Sequence, residues 1–396
     1  MSTPSIPSPF PTLVPAERAL PVSRPRRRLL LAASASVLSA PWLGARANAA
    51  WVIGQSAPQT GVLAASNAET TAAARLYFSQ LNQRGGVHGR PIELLSMDDA
   101  QDAKRTAENT QKLLNLGVLG LALYRTTPSS EAALPLARKA GAAYIGTQVG
   151  PSLLYDPKLT EVFNTRARYS DEVSRAVNFF KNLGMTRVAA LVASDSFGKD
   201  VMAGLRSAMA EAKLELLAEA SIDNRSADVT QQIEQLRKAN PQVVLLISNA
   251  KAAASFVNGA RALGFRPTFV SLSNTSSASF IQDLGKAAEG VVVTQVMPSP
   301  HAGRVRVVSE FREAAAQPPG VPVSHASLQG YVTAKFIHEA IRRAGPGVDR
   351  AGLVDAINRA NTFDLGDFTL AYPRDSRQGS RLAELTVISR DGRFMY

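Results

Sequence analysis

The stretch RGGVHGRPIELLSMDDAQD, residues 84–102, gathers residue types that can do chemistry: paired glycines, a histidine and two adjacent aspartates. A glycine-rich turn cradles phosphate when it follows a strand and opens a helix, so that helix N-terminal amides meet the anion. Here the order is reversed. Periodic apolar residues predict a helix ending at Arg84, and Gly85-Gly86 can close it with positive φ. Val87-His88-Gly89-Arg90 then turns into a strand from Pro91. No G-x-x-x-x-G-K or G-x-G-x-x-G occurs in the chain, so the glycines read as structural. Asp98 and Asp99 stand at a strand C-terminus, where ligands of open α/β sheets gather, but Asp before a helix is also a favoured cap or turn residue. The capping reading is preferred.

Other catalytic constellations are weaker. His88, His301, His325 and His338 are far apart, with no H-x-H or H-x-x-x-H spacing for a metal. GQSAP follows a strand as a nucleophile elbow does, yet lacks the closing glycine of G-x-S-x-G. There is no cysteine, which removes thiol chemistry and disulfides. The expectation is a protein that is not an enzyme and carries no metal or cofactor.

The elements that would position a site come in a regular alternation. Short apolar runs such as WVIGQSAP, PIELLSMD, GVLGLALY and AAYIG are separated by amphipathic stretches such as NAETTAAARLYFSQLNQRGG and AKRTAENTQKLLNL. The rhythm restarts after VFNTRARYSDE, with RVAALVAS, LELLAEASI, QVVLLIS, PTFVSL and EGVVVTQV as the next strands. Such repeats build parallel sheets covered by helices on both faces. The fold class is therefore α/β, with two Rossmann-like lobes. Residues 304–316, 326–344 and 350–361 read as helices, and DFTLAYPRDSRQGSRLAELTVISRDGRF as a hairpin-like ending. The chain is expected to cross between lobes near Thr165–Tyr169, Val296–Ser299 and Asp364–Phe368. That assigns residues 50–166 with 298–364 to an N-terminal lobe, and 167–297 with 365–396 to a C-terminal lobe.

Residues 1–49 have a different character. A Pro/Ser-rich start leads to Arg26-Arg27-Arg28, an apolar run from Leu29 to about Leu43, and Ala47-Asn48-Ala49. This is the pattern of a secretory signal peptide, with cleavage after Ala49 and a periplasmic product. The run is shorter than the roughly 20 apolar residues that a spanning helix needs. Arg-Arg-x-Leu-Leu also fits a twin-arginine signal, and the two export routes stay open. Without this segment the formal charge falls from +12 to +7, distributed in mixed-sign stretches such as RTAENTQK, which reads as a solvated surface and not a nucleic-acid stripe.

IGQSAPQTG, LYFSQLNQRGGVHGRPIELLSMDD, TTPSSEAALPLARKAGAAYIG, SDSFGKD, KAAEGVVVTQVMPSP and the ending DFTLAYPRDSRQGSRLAELTVISRDGRF occur in one order across residues 51–396. In these segments the chain resembles the periplasmic solute-binding proteins of branched-chain amino acid (Leu/Ile/Val) ABC importers. The resemblance implies a type I periplasmic-binding fold: two lobes, parallel sheets flanked by helices, three crossover segments, and closure on a small solute. It implies an importer permease and ATPase as partners, a monomer, and no nucleic acid. A ligand-sensing receptor of the same fold, signalling to a partner, is the alternative.

The resemblance also places ligand-binding residues. The turn YRTTPSS offers Thr127 and Ser129, with Tyr124 and Arg125 adjacent, and precedes a helix whose free amides can meet an anion. The next strand end matches at Gln148, Val149 and Gly150. The second lobe contributes Phe197, where the family often has Tyr, and Asn249 and Asn274. One departure stands out. Amino-acid binders of the family carry an acidic residue around SLSN, but here Ser271, Ser273 and Asn274 occupy that stretch. An unpaired buried ammonium is costly. The expected solute is thus amino-acid-like, or a carboxylate, aromatic acid or amide lacking an α-amine.

Overall fold

The computed structural model describes residues 49–226 and 228–396. The export-signal expectation, with Arg26, Arg27 and Arg28, lies outside the described residues up to Asn48. Among the described residues no helix is long and apolar enough to cross a membrane.

The first half runs β1 (Trp51–Ala57), α1 (Ala64–Gln83), β2 (Ile92–Asp98), α2 (Ala103–Asn115), β3 (Gly120–Ala122), α3 (Thr127–Lys139), β4 (Ala143–Ile145) and β5 (Val162–Phe163). These strands form a five-stranded sheet in the order β2-β1-β3-β4-β5, each pair parallel. The second half runs α4 (Tyr169–Asn182), β6 (Val188–Ala193), α5 (Ser196–Ala212), β7 (Leu216–Ile222), α6 (Thr230–Lys238), β8 (Val243–Ile247), α7 (Ala250–Ala262), β9 (Thr268–Ser271), α8 (Ala278–Leu284) and β10 (Val292–Gln295). Strands β6 VAALVA and β8 VVLLI are buried along their whole length. Continuous apolar runs of this kind are what a sheet covered on both faces demands.

The chain then returns to the first sheet. Helices α9 (Arg306–Ala315), α10 (His325–Ala344) and α11 (Arg350–Ala360) contribute Phe311, Leu328, Phe336, Ile337 and Leu353 to the core that also holds Trp51, Ile53, Tyr77 and Phe163. Two short strands, β11 (Thr362–Asp364) and β12 (Thr369–Ala371), pair with each other, and β13 (Glu384–Ile388) and β14 (Phe394–Met395) extend the second sheet to β14-β13-β10-β9-β8-β6-β7. The ending is therefore two hairpins, one on each lobe. The third crossing differs from the expected Asp364–Phe368. Phe363, Leu365, Phe368, Leu370 and Tyr372 are buried in the first lobe's core, so residues 365–372 belong there, and the chain passes to β13 only afterwards. Apolar alternation fixed the strands but could not say which core they face.

The crossing strands are tied together. Asn164 bridges Gln378, its Nδ2 donates to the Arg377 carbonyl at 3.0 Å, and Gln378 Nε2 donates to Asp171 at 2.7 Å.

The glycine-rich stretch is a helix stop. Gly86 has φ +67°, and a Cβ there would lie 2.1 Å from the Arg90 carbonyl oxygen, so only glycine closes this turn. Asp98 accepts from the Gln59 and Ala100 amides at 2.7 and 3.0 Å, and from the Thr60 hydroxyl at 2.6 Å. Asp99 accepts from Ser56 and Thr106 hydroxyls, while Asp102 caps α2. Both members of the aspartate pair organise loops.

Candidate functional site

The strand β3 ends one residue before Leu123, whose φ of +60° is left-handed. That kink turns the following side chains to opposite sides. Tyr124 goes into the core with Tyr144 and Leu134, and its hydroxyl pairs with Thr110 at 2.9 Å. Arg125 goes into the space between the lobes. It is 6% exposed, donates through Nη2 to Ser66 Oγ at 3.1 Å, and reaches across to the Asn274 carbonyl at 3.0 Å. Among the described residues no carboxylate lies within ion-pair distance of it. Burial holds the Arg125 pKa below the ordinary guanidinium range, and the Arg166 charge adds to this. A buried cation without a partner anion is costly unless something else supplies the charge.

Arg125 lines a cavity of about 40 Å³ with Leu63, Gln101, Thr126, Thr127, Pro128 and Val149 of the first lobe. Tyr169, Asp195, Phe197, Asn224, Asn249 and Asn274 line it from the other side. Three of these residues carry a buried polar atom with no protein partner: Thr127 Oγ1, the Tyr169 hydroxyl and Asn274 Oδ1. Burial pushes the Tyr169 phenol up to about 12, so it remains a donor at neutral pH. Its ring meets Phe197 edge-on at 5.1 Å. Buried polar atoms are almost always paired, so three orphans in one cavity mark a place where a solute completes the hydrogen bonding.

Beneath Tyr169 lies a paired charge. Arg166 and Glu172 form a fully buried ion pair. Arg166 also donates to the Gln148 carbonyl at 2.9 Å and to Ser273 Oγ at 2.8 Å, and Glu172 accepts from the Ser273 amide at 2.9 Å. This cluster joins a first-lobe strand end to the second-lobe turn that carries Asn274.

The lobes also touch around the cavity. Ser196 Oγ donates to Glu131 at 2.7 Å, the Ser152 amide to Asp200 at 2.9 Å, and the Ala278 and Ser279 amides to Glu69 at 2.9 and 2.8 Å. The arrangement is a closed cleft.

The expected site residues separate into two groups. Arg125, Thr127, Val149, Phe197, Asn249 and Asn274 come together on the cavity wall. Tyr124, Ser129, Gln148 and Gly150 do not line it, and this corrects their expected placement. Ser129 is fully buried and bonds to Thr126 and Thr106 hydroxyls at 2.7 and 2.9 Å, fixing the start of α3. Gln148 ties Asn67 and the Leu123 carbonyl together at 2.8 and 2.9 Å. Gly150 packs at the first crossing, where a Cβ would lie 2.8 Å from the Ala167 oxygen. Asn249 faces the cavity, but its Oδ1 caps α7 through the Ala252 amide at 2.9 Å and its Nδ2 donates to the Asn224 carbonyl, which leaves it little to offer a solute.

Of the helix amides expected to be free at the start of α3, Thr127 N–H alone has no partner among the described residues. Thr126 caps α3 and takes the Ser129 amide, the Ser130 amide bonds the Thr126 carbonyl, and Pro128 has no N–H. The full positive charge here is that of Arg125, with the Thr127 amide beside it.

Sequence reasoning missed Tyr169, Asp195 and Asn224. Asp195 caps α5 through the Gly198 amide at 3.2 Å and accepts from Asn224 Nδ2 at 3.2 Å. An acid does therefore stand on the cavity wall, although not in the SLSN stretch. Its position two residues before Phe197 in the quoted segment SDSFGKD was the available signal.

A larger cavity, about 750 Å³, opens on the outer face of α1 between Arg75, Gln83 and Pro318–Val321. It does not lie between the lobes. Three of its polar groups bond to one another: Ser96 donates to Gln55 at 2.7 Å and Arg75 to Ser96 at 3.0 Å.

Three of the four histidines bond to protein groups. His88 and His338 bond the Arg342 carbonyl and Tyr77, and His325 meets Tyr396. His301 is exposed and near enough to His325 to lower its pKa, and among the described residues no group of three or more metal-ligating side chains occurs.

A family model described as periplasmic binding protein matches residues 50–393. A protein of Brucella abortus, Leu/Ile/Val-binding protein homolog 7, is 24% identical over 387 residues, covering 92% of this chain and 95% of that one. The crystal structure of a substrate-binding periplasmic protein from Ralstonia solanacearum superposes with a TM-score of 0.82 at 30% identity, over 87% of this chain and 99% of that one. A fatty acid ABC transporter substrate-binding protein from Thermomonospora curvata superposes with a TM-score of 0.79 over 87% and 89% of the two chains. At 20% identity that last likeness carries the fold alone.

Proposed function

The chain belongs to the periplasmic binding protein family, and from that premise we propose that it captures a small carboxylate-bearing solute between its lobes and delivers it to the permease of an ABC importer. Members of the family bind substrates and do not transform them. The observation that carries the ligand reading is Arg125: a buried guanidinium in the interlobe cavity, without a carboxylate partner among the described residues, beside orphan hydroxyls of Thr127 and Tyr169. An anion there would satisfy the cation and the two donors at once. The lobes already meet through Arg125 and the Asn274 carbonyl, so a solute on Arg125 would be held by both of them.

One relative's name speaks of Leu/Ile/Val binding and a structural neighbour's of a branched-chain amino acid transporter substrate binding protein, and a delivery role is inferred here. Export to the periplasm through residues 1–49 and association with permease and ATPase subunits complete the reading. A thermal-shift screen of the mature protein tests it, since a ligand that binds only the folded state raises the melting temperature. Amino acids, hydroxy acids, oxo acids, dicarboxylates, aromatic acids and the matching neutral amides form the panel. A shift with an acid and none with its amide is expected; shifts with amides alone would remove the carboxylate reading.

A further inference from the structure

We propose that the solute is a small 2-hydroxy carboxylate, recognised by Arg125 at its carboxylate and by Asn274 at its hydroxyl. The inference rests on the carboxylate reading above. Its added content is the group next to the carboxylate.

The donors and acceptors left open in the cavity define that group. Arg125, Thr127 Oγ1 and the Tyr169 hydroxyl can all donate, which suits a carboxylate. Asn274 offers the opposite. Its Nδ2 donates to the Ser248 carbonyl at 3.0 Å, which fixes the amide orientation and leaves Oδ1 as a bare acceptor. A solute therefore needs a donor there.

A hydroxyl meets this need better than an ammonium does. A buried ammonium has to be compensated by charge, and one neutral oxygen does not compensate it. Of the acids around the cleft, Glu172 is paired with Arg166 and takes the Ser273 amide, and Glu69 takes the Ala278 and Ser279 amides and Ser324 Oγ. Asp195 on the cavity wall accepts only from the Gly198 amide and Asn224 Nδ2, so it is the one acid that could face an ammonium, and the D195N variant tests it. A 2-oxo group, for its part, has no donor for Asn274. The cavity is small, about 40 Å³, which favours a short skeleton.

Titration calorimetry on the mature protein tests this with two matched series: lactate, pyruvate and alanine, and the hydroxy, oxo and amino acids of the leucine skeleton. The hydroxy acid is expected to bind at least tenfold more tightly than its oxo and amino counterparts in at least one series. N274L should erase the preference for hydroxy over oxo. N274D should bring amino-acid binding up and hydroxy-acid binding down. An amino acid that binds more tightly than its hydroxy counterpart, and loses that binding in D195N, overturns the inference in favour of a zwitterion held between Arg125 and Asp195. Asparagine still caps a helix well, so D195N should fold. No binding by either series also overturns it, whereas the broader solute reading falls only if the thermal-shift panel is blank too.

Discussion

Arg166 and Glu172 face each other across the first crossing with no exposed side-chain surface on either residue. The pair bridges the lobes through the Gln148 carbonyl and Ser273. Breaking such a pair strands one buried charge, at a cost of about 3–5 kcal/mol, whereas replacing both partners with apolar residues often costs little. Arg166→Met and Glu172→Leu alone should each lower the urea midpoint sharply. The double variant should lose less than either. Additive losses would mean that the two residues contribute independently.

Orphan hydroxyls and networked hydroxyls should respond in opposite ways. Thr127→Val and Tyr169→Phe remove groups that bond nothing in the protein, so thermal stability should hold or rise slightly. Solute affinity should fall by about 1.5–3 kcal/mol each, roughly tenfold or more. Ser129→Ala should do the reverse, because its hydroxyl is bonded to Thr106 and Thr126. A loss of about 1 kcal/mol in stability with affinity unchanged is expected. Melting curves and calorimetry on the three variants separate the roles.

This contrast shows where the sequence was legible. Strand and helix alternation gave both sheets and the three late helices, because apolar periodicity reports burial directly. The direction of GGVHG relative to its helix sufficed to read Gly86 as a stop. Tyr124 was not legible, because the left-handed Leu123 reverses the facing that strand alternation implies. Tyr169, Asp195 and Asn224 come from segments remote from the Thr/Ser turn, and only the closed lobes bring them to Arg125. The third crossing was misplaced for a related reason. Phe363 and Leu370 look equally apolar to either core, and packing decides between them, with Phe363 edge-on to Phe336 at 4.9 Å.

Acid should destabilise the protein through His325. Burial lowers its pKa from the ordinary 6.5 to about 3. Between those values the unfolded chain binds a proton that the folded protein refuses. Stability is therefore complete above pH 6.5 and declines as pH falls toward 3, by about 1.4 kcal/mol per pH unit for this one group. His325→Leu should flatten the dependence by that slope between pH 6 and 4.5, whatever it does to the absolute level. Denaturant titrations at stepped pH provide the comparison. Parallel profiles for the two proteins would show that His325 is not buried neutral.

Export should release a chain that begins at Ala50. Strand β1 starts at Trp51, which is buried and carries the Arg90 guanidinium over its ring at 3.4 Å, so cleavage after Ala49 leaves the first strand whole. N-terminal sequencing of the periplasmic protein checks this, and an intact Met1 in a membrane fraction would contradict it. Replacing Arg26, Arg27 and Arg28 by Lys should block export only on the twin-arginine route, which requires the arginine pair itself.

Arg125 carries the sharpest test, because its effects on stability and on binding should have opposite signs. The side chain is buried, with two neutral oxygen partners and no acid within ion-pair distance among the described residues. Such a cation is a burden on the unliganded fold that a bound anion relieves. Arg125→Met keeps the apolar stem and removes the charge, so the unliganded protein should melt no lower than wild type. Carboxylate affinity should drop by about 2 kcal/mol or more, roughly thirtyfold, while a neutral amide of the same skeleton should lose little. Arg125→Lys should recover only part of the affinity, since one ammonium cannot match the planar fork of a guanidinium on a carboxylate. Wild-type binding should also weaken as pH falls through the carboxyl pKa of the solute, because the neutral acid no longer pairs with the cation. If Arg125→Met instead lowers the melting temperature and leaves affinity intact, Arg125 serves as a strut between the lobes through Asn274, and the anion must be sought elsewhere.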